Sequence, residues 1–204
     1  MDITKLEKDN IIEIISMNMA TKVHKIFISY HHGDSPQDGD KEYRDKLERI
    51  LGNYGIAINH SVPYDAIGSD LMTETVRQKI RDEYIRDATV TVVLIGKNTW
   101  KRKHVDWEIG STLRNTEYNP RGGLLGLILP SYDREDSTKY TYNTIPPRLH
   151  DNIQRGYALI HNWTEDPVTI QNWIHEAFDK RTTIDPDNSR KYFANNRSGY
   201  YWTD

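Results

Sequence analysis

"TVTVVLIGKNTWKRKHVDWEIGSTL", residues 89–113, joins one strand pattern to one helix pattern, and the rest of the chain is read outward from it. The opening "TVTVVLIG" is apolar and β-branched almost throughout, the signature of a strand buried on both faces of a parallel sheet. Beyond the polar turn, Val105, Ile109 and Leu113 recur every fourth residue, the spacing of a helix that buries one stripe. Glu108 stands on the shoulder of that stripe, three residues after Val105 and next to Ile109. A glutamate near the start of a helix is ordinarily solvated and complements the helix dipole. The same dipole is expected to keep its carboxylate ionised. Glu117 is expected further along the same helix.

The flanking sequence repeats this alternation. "KIFISY" (25–30) reads as a strand and "DKEYRDKLERILGNYG" (40–55) as a helix with Tyr43, Leu47, Ile50 and Leu51 on one face. "GIAINHSV" (55–62) is a second strand, and residues 69–88 form a second helix carrying Val76, Ile80 and Tyr84 in register. After the helix around Glu108 come the strand "GGLLGLILP" (122–130), a long polar loop, and the strand "GYALIHNW" (156–163). The last helix is "DPVTIQNWIHEAFDKR" (166–181), with Asp166 as N-cap and Pro167 in the first turn. Five strands alternating with helices imply an α/β fold, a doubly wound parallel sheet of the flavodoxin-like order 2-1-3-4-5. Ligands in such sheets sit outside the carboxyl ends of the strands, which here lead directly toward Glu108.

Composition narrows the classes. With 27 basic and 30 acidic side chains, a net charge of −3 and a pI near 6.2, the chain lacks the basic excess of a nucleic-acid binder. It has no cysteine, so disulfides, thiolate catalysis and cysteine-ligated zinc are excluded and a reducing compartment is indicated. No apolar run approaches the ~20 residues of a membrane span, and "IIEIISM" lacks the basic flank of a signal peptide. A cytoplasmic protein bound to neither membrane nor nucleic acid is expected. Residues 1–22 read as a leader or an amphipathic helix, residues 23–182 as the folded domain, and residues 183–204 as a tail with five aromatics in "RKYFANNRSGYYWTD". Packing of that tail on its own domain is expected ahead of partner docking.

Several sharper motifs fail on inspection. "LIGKNT" resembles the end of a phosphate-binding P-loop, but Thr91 stands where the leading glycine belongs. "RGGLLG" precedes a strand rather than a helix. A phospho-receiver needs an aspartate after the third strand, where Gly96-Lys97-Asn98 stands. His31 and His32 have no helical His partner at metal-ligand spacing, so they are read as loop histidines with ordinary hydrogen bonds, and no metal is expected.

Three segments taken together resemble the Toll/interleukin-1 receptor (TIR) domain family. "KIFISYHH" is similar to the family's first strand, "SVPYDAIGSDLMTETVRQKI" to the loop and helix after its second, and "TVTVVLIGKNTWKRKHVDWEIGSTL" to its third strand and the helix that carries the TIR glutamate. "VDWEIGSTLR" and "IPPRLHDNIQRGYALIHNW" resemble, more narrowly, the TIR-like subgroup of the Thoeris bacterial antiphage defence system. The resemblance covers residues 24–180. One position departs from it: His104 replaces the aromatic residue often found four before the glutamate, and an (i, i+4) pair with Glu108 is expected.

The resemblance implies an enzyme that consumes NAD as a substrate, with no cofactor of its own. It would cleave the nicotinamide–ribose bond and form a cyclic ADP-ribose-type signal. Glu108 would be the catalytic carboxylate. Substrate-binding roles are expected for Tyr30 and His31 after the first strand, Tyr64 and Asp65 after the second, and Lys103, His104 and Trp107 around the helix start. Lys101, Arg102 and Lys103 would meet the pyrophosphate or form a solvated turn; Trp107 would be an aromatic wall or a core residue. The partners implied are NAD, a phage-derived trigger, a separate effector protein that senses the product, and further copies of the chain. The rival reading is a non-enzymatic TIR scaffold that works by self-association or docking; a flavodoxin-like nucleotide sensor without turnover is a third.

Overall fold

The computed structural model describes residues 23–33, 39–59, 85–117 and 120–203, the strand at 57–59 by its backbone. The leader, Tyr64, Asp65 and most of the helix expected over 69–88 lie outside the described residues.

The strands β1 (His24–Ser29), β3 (Val90–Ile95), β4 (Gly123–Ile128) and β5 (Leu159–Asn162) are hydrogen-bonded side by side and all parallel. The short β2 (Ala57–Asn59) pairs with β1 on its other side, so the order is β2-β1-β3-β4-β5. Every residue of β3 and β4 is buried, as the uninterrupted apolar run at 89–96 requires of a central strand.

Helices cover both faces, and the two-residue alternation of the strands assigns the side chains. Ile26 and Ile28 of β1, Val90, Val92 and Leu94 of β3, and Leu125 and Leu127 of β4 face one way. They pack with Leu47 and Leu51 of α1 (Lys41–Asn53) and Ile170, Ile174 and Ala177 of α4 (Pro167–Thr183). Val93 and Ile95 of β3 with Leu124 and Ile128 of β4 face the other way. Their partners are Val105 and Ile109 of α2 (Lys103–Thr112), Leu113 at its C-cap, and Leu149 of α3 (Pro147–Gln154). Each fully buried Val, Leu or Ile stabilises this packing by about 1.5–3 kcal/mol. A Cβ on Gly123 would strike the Ala177 carbonyl, so only glycine lets α4 lie this close to β4.

Local signals place most elements where the sequence does. Asp166 caps α4 by accepting the Thr169 N–H at 2.9 Å, and Pro167 opens the helix. Two expectations are corrected. The segment read as one long polar loop contains α3, which begins at Pro147, where proline costs a helix nothing because the first N–H groups have no intrahelical acceptor. Helix α2 ends at Thr112, so Glu117 lies beyond it and not on the same helix. Among the described residues no helix is long and apolar enough to cross a membrane.

Candidate functional site

Ser29 and Glu108 form the centre of the site. Strand alternation turns Ser29, the last residue of β1, away from the face of Ile28 and toward α2. The Ser29 hydroxyl donates to Glu108 Oε2 at 2.6 Å across 79 residues of sequence. Glu108 as a whole is only 9% exposed. Burial pushes its pKa up to about 8, and the Ser29 hydrogen bond opposes that rise. The expected ionised state is therefore overturned. Glu108 is the sixth residue of α2, past the first turn where the dipole acts, so desolvation wins.

The expected His104–Glu108 pair is not formed either. His104 lies edge-on to the Trp107 ring at 5.0 Å, and Ser29 takes the carboxyl. Burial, then Lys103 and His32, hold the His104 pKa down at about 4, so the imidazole is neutral at physiological pH.

A pocket of about 100 Å³ opens between the carboxyl end of β1 and the start of α2. Tyr30, His31 and His104, three of the expected binding residues, line it with His32, Arg102 and Asn196. Its wall is partly aromatic: the Tyr30 and His32 rings lie 4.1 Å apart, and the Arg44 guanidinium covers Tyr30 at 5.5 Å. A pocket of this size encloses a single ring- or sugar-sized group rather than a large ligand. Neither Glu108 nor Ser29 is among the residues that line it; Glu108 lies one helical turn further along α2 than His104.

Lys103 and Trp107 take other places. Trp107 is 1% exposed and packs with Phe27, Ile85 and Ala88, its indole N–H donating to the Phe193 carbonyl at 2.8 Å. Its large apolar face is used for the core and not for the pocket wall. Lys103 holds its ammonium 5.1 Å from the Trp107 ring centre, and Lys101 holds its own over Trp100. Of the three basic residues, Arg102 alone reaches the pocket.

The tail explains why α2 stands where it does. Arg148 of α3, 0% exposed, pairs with Asp106 of α2 at 3.0 Å. The same guanidinium donates to Asn188 Oδ1 and the Arg190 carbonyl and lies 4.5 Å from the Tyr192 ring centre. Asp106 also accepts the Phe193 N–H at 3.0 Å. Asn188 donates to the Gly110 carbonyl, and a Cβ at Gly110 would strike the Tyr192 ring. Further on, the Trp202 indole N–H donates to the Ile145 carbonyl at 2.8 Å. The aromatic tail thus packs on its own chain, with Tyr200 and Tyr201 pointing outward. Ser29, Arg148 and Asn196 are among the residues that sequence reading missed. Ser29 was legible as the one small polar residue ending an apolar strand; Arg148 carried no signal.

Comparison with known families decides the relationship. The model of the TIR-like domain of the Thoeris protein ThsB matches residues 27–134, from β1 through the segment after β4, just over half of the chain. The chain belongs to the ThsB TIR-like domain family. The antiphage-defence resemblance of the sequence is thereby established, and Ser29, Tyr30, His104 and Glu108 all fall inside the matched span. Arg148 and the tail lie beyond it. No curated protein matches the chain. Among the described residues no cluster of three or more His, Asp or Glu side chains is arranged to hold a metal ion.

Proposed function

We propose that this ThsB-family chain is a cytoplasmic NAD-consuming enzyme of antiphage defence, built on the five-stranded TIR fold. The observation that carries this reading is Glu108: a buried carboxyl held by Ser29, one helical turn along α2 from His104, which lines a partly aromatic pocket at the carboxyl end of β1. A buried acid with a strongly raised pKa is costly to the fold, and such groups concentrate at functional sites. In the reaction, the bond between the ribose C1′ and the nicotinamide nitrogen breaks and its electron pair leaves with the ring. Nicotinamide departs neutral, so no general acid is required. The ribose becomes oxocarbenium-like, and ionised Glu108 opposes that charge in a site with little water. An atom of the same ADP-ribose then takes C1′, which closes the cyclic signal for a separate effector. A phage-derived trigger and assembly of several copies would bring the substrate against Glu108.

The sequestered, protonated state of Glu108 favours one alternative, a TIR scaffold in which the carboxyl serves only Ser29. Nicotinamide release from NAD separates the two. Wild-type protein, assembled and triggered, is expected to release nicotinamide, and Glu108→Gln to lose on the order of 10²–10³ in rate, about 3–4 kcal/mol of barrier. Wild-type turnover by Glu108→Gln would remove the residue from the mechanism. An inactive wild type would leave the scaffold.

A further inference from the structure

Helix α2 has no capping side chain of its own. Arg102 precedes it in extended conformation and makes no cap hydrogen bond. The helix's first N–H, that of Lys103, donates instead to Asn196 Oδ1 at 3.0 Å, from 93 residues further along the chain. The neighbouring Arg197 N–H donates to the Lys101 carbonyl at 2.7 Å and fixes the tail at this point. Asn196 is held between two buried anchors: Phe193, bonded to Asp106 and Trp107, and Trp202, bonded to Ile145.

The same side chain forms part of the pocket wall beside Arg102, His104 and Tyr30. Its chemistry there is determined by the cap. An N–H can only donate, so the amide must give its oxygen to Lys103, and its NH₂ is the end left for the pocket. Asn196 is solvent-exposed, which makes that NH₂ available to a ligand. Residue 196 lies outside the matched span 27–134, so this feature is not among those by which the family was assigned.

We propose that Asn196 is a substrate-contacting residue whose NH₂ donates to an acceptor oxygen of the bound dinucleotide. This rests on the NAD-cleavage reading above. The tail then has two roles at once: it caps the helix that carries Glu108, and it supplies a wall of the pocket that the matched domain lacks. Arg102 and the donor amide together suit the oxygen-rich, anionic middle of a dinucleotide.

Two substitutions separate contact from cap. Asn196→Asp keeps an oxygen for the Lys103 N–H and places a negative charge at the helix N-terminus, so stability holds or rises. It also replaces the donor with a carboxylate facing the dinucleotide's phosphates. Asn196→Ala removes both cap and donor. NAD binding to the full chain is measured by calorimetry in a Glu108→Gln background, where turnover is strongly slowed, together with the melting temperature of each protein. The expected order of stability is Asp at or above Asn, then Ala. The expected order of affinity is Asn, then Ala weaker by about tenfold, then Asp weaker still. Equal affinity for Asn and Asp, or affinities that follow the melting temperatures, overturns the proposal and leaves Asn196 as a cap alone. If the Asn196 parent binds no NAD and the wild type releases no nicotinamide, the enzymatic reading falls first and takes this contact with it.

Discussion

Replacing Glu108 with Gln should make the protein more stable, and more so at higher pH. The folded state holds this carboxyl at a pKa of about 8, against an ordinary value of 4.5 in the unfolded chain. Below pH 4.5 both states are protonated and the group costs nothing. Between 4.5 and 8 the unfolded chain has released a proton that the folded chain retains, so stability falls by about 1.4 kcal/mol per pH unit. Above 8 the loss levels off near about 5 kcal/mol. At pH 7 it amounts to about 3 kcal/mol. Glutamine resembles the protonated acid, keeps an oxygen for the Ser29 hydroxyl, and pays no such cost. The variant should therefore melt about 6–12 °C higher at pH 7 in a chain of this size. Thermal and urea unfolding of both proteins at pH 5, 6, 7 and 8 is the assay. The gap should be small at pH 5 and widen toward pH 8, because distant titrating groups cancel in the difference. Parallel curves with no widening gap would refute the claim that desolvation governs this carboxyl.

Ser29→Ala removes the hydrogen bond that favours the ionised form, so the pH–rate profile for nicotinamide release should shift to higher pH while the melting temperature changes little. In the wild type that rate should rise through about pH 8 as Glu108 ionises; a rate falling over that range would contradict the ionised carboxylate as the active form. Arg148→Met leaves Asp106 buried without its cation and frees Asn188 and the Arg190 carbonyl, which should cost about 3–5 kcal/mol in urea unfolding. Deleting residues 190–204 strips Asp106 and Trp107 of their Phe193 partners and removes the buried Trp202, so the melting temperature should drop sharply. An unchanged melting temperature would show that the tail does not hold α2.

What the sequence determined by itself was everything that depends on local repetition. An unbroken apolar run at 89–96 can satisfy its side chains only between two helical layers, so a central parallel strand follows from eight residues. Val105, Ile109 and Leu113 fix which side of α2 is buried, and Asp166-Pro167 fixes where α4 begins, because a cap and a missing N–H act within one turn. Glu108 was legible as the odd carboxyl beside a buried stripe, although its protonation was not: the dipole is a local argument, whereas desolvation depends on what the fold lays over the residue. The tertiary structure alone decided the polar partnerships. Ser29 with Glu108, Arg148 with Asp106 and Asn196 with Lys103 join residues separated by 79, 42 and 93 positions. A buried polar group must find a partner, but periodicity says only that it is buried. Which partner reaches it is settled by the crossing of strands, helices and tail in three dimensions, and no pattern within any one segment records that meeting.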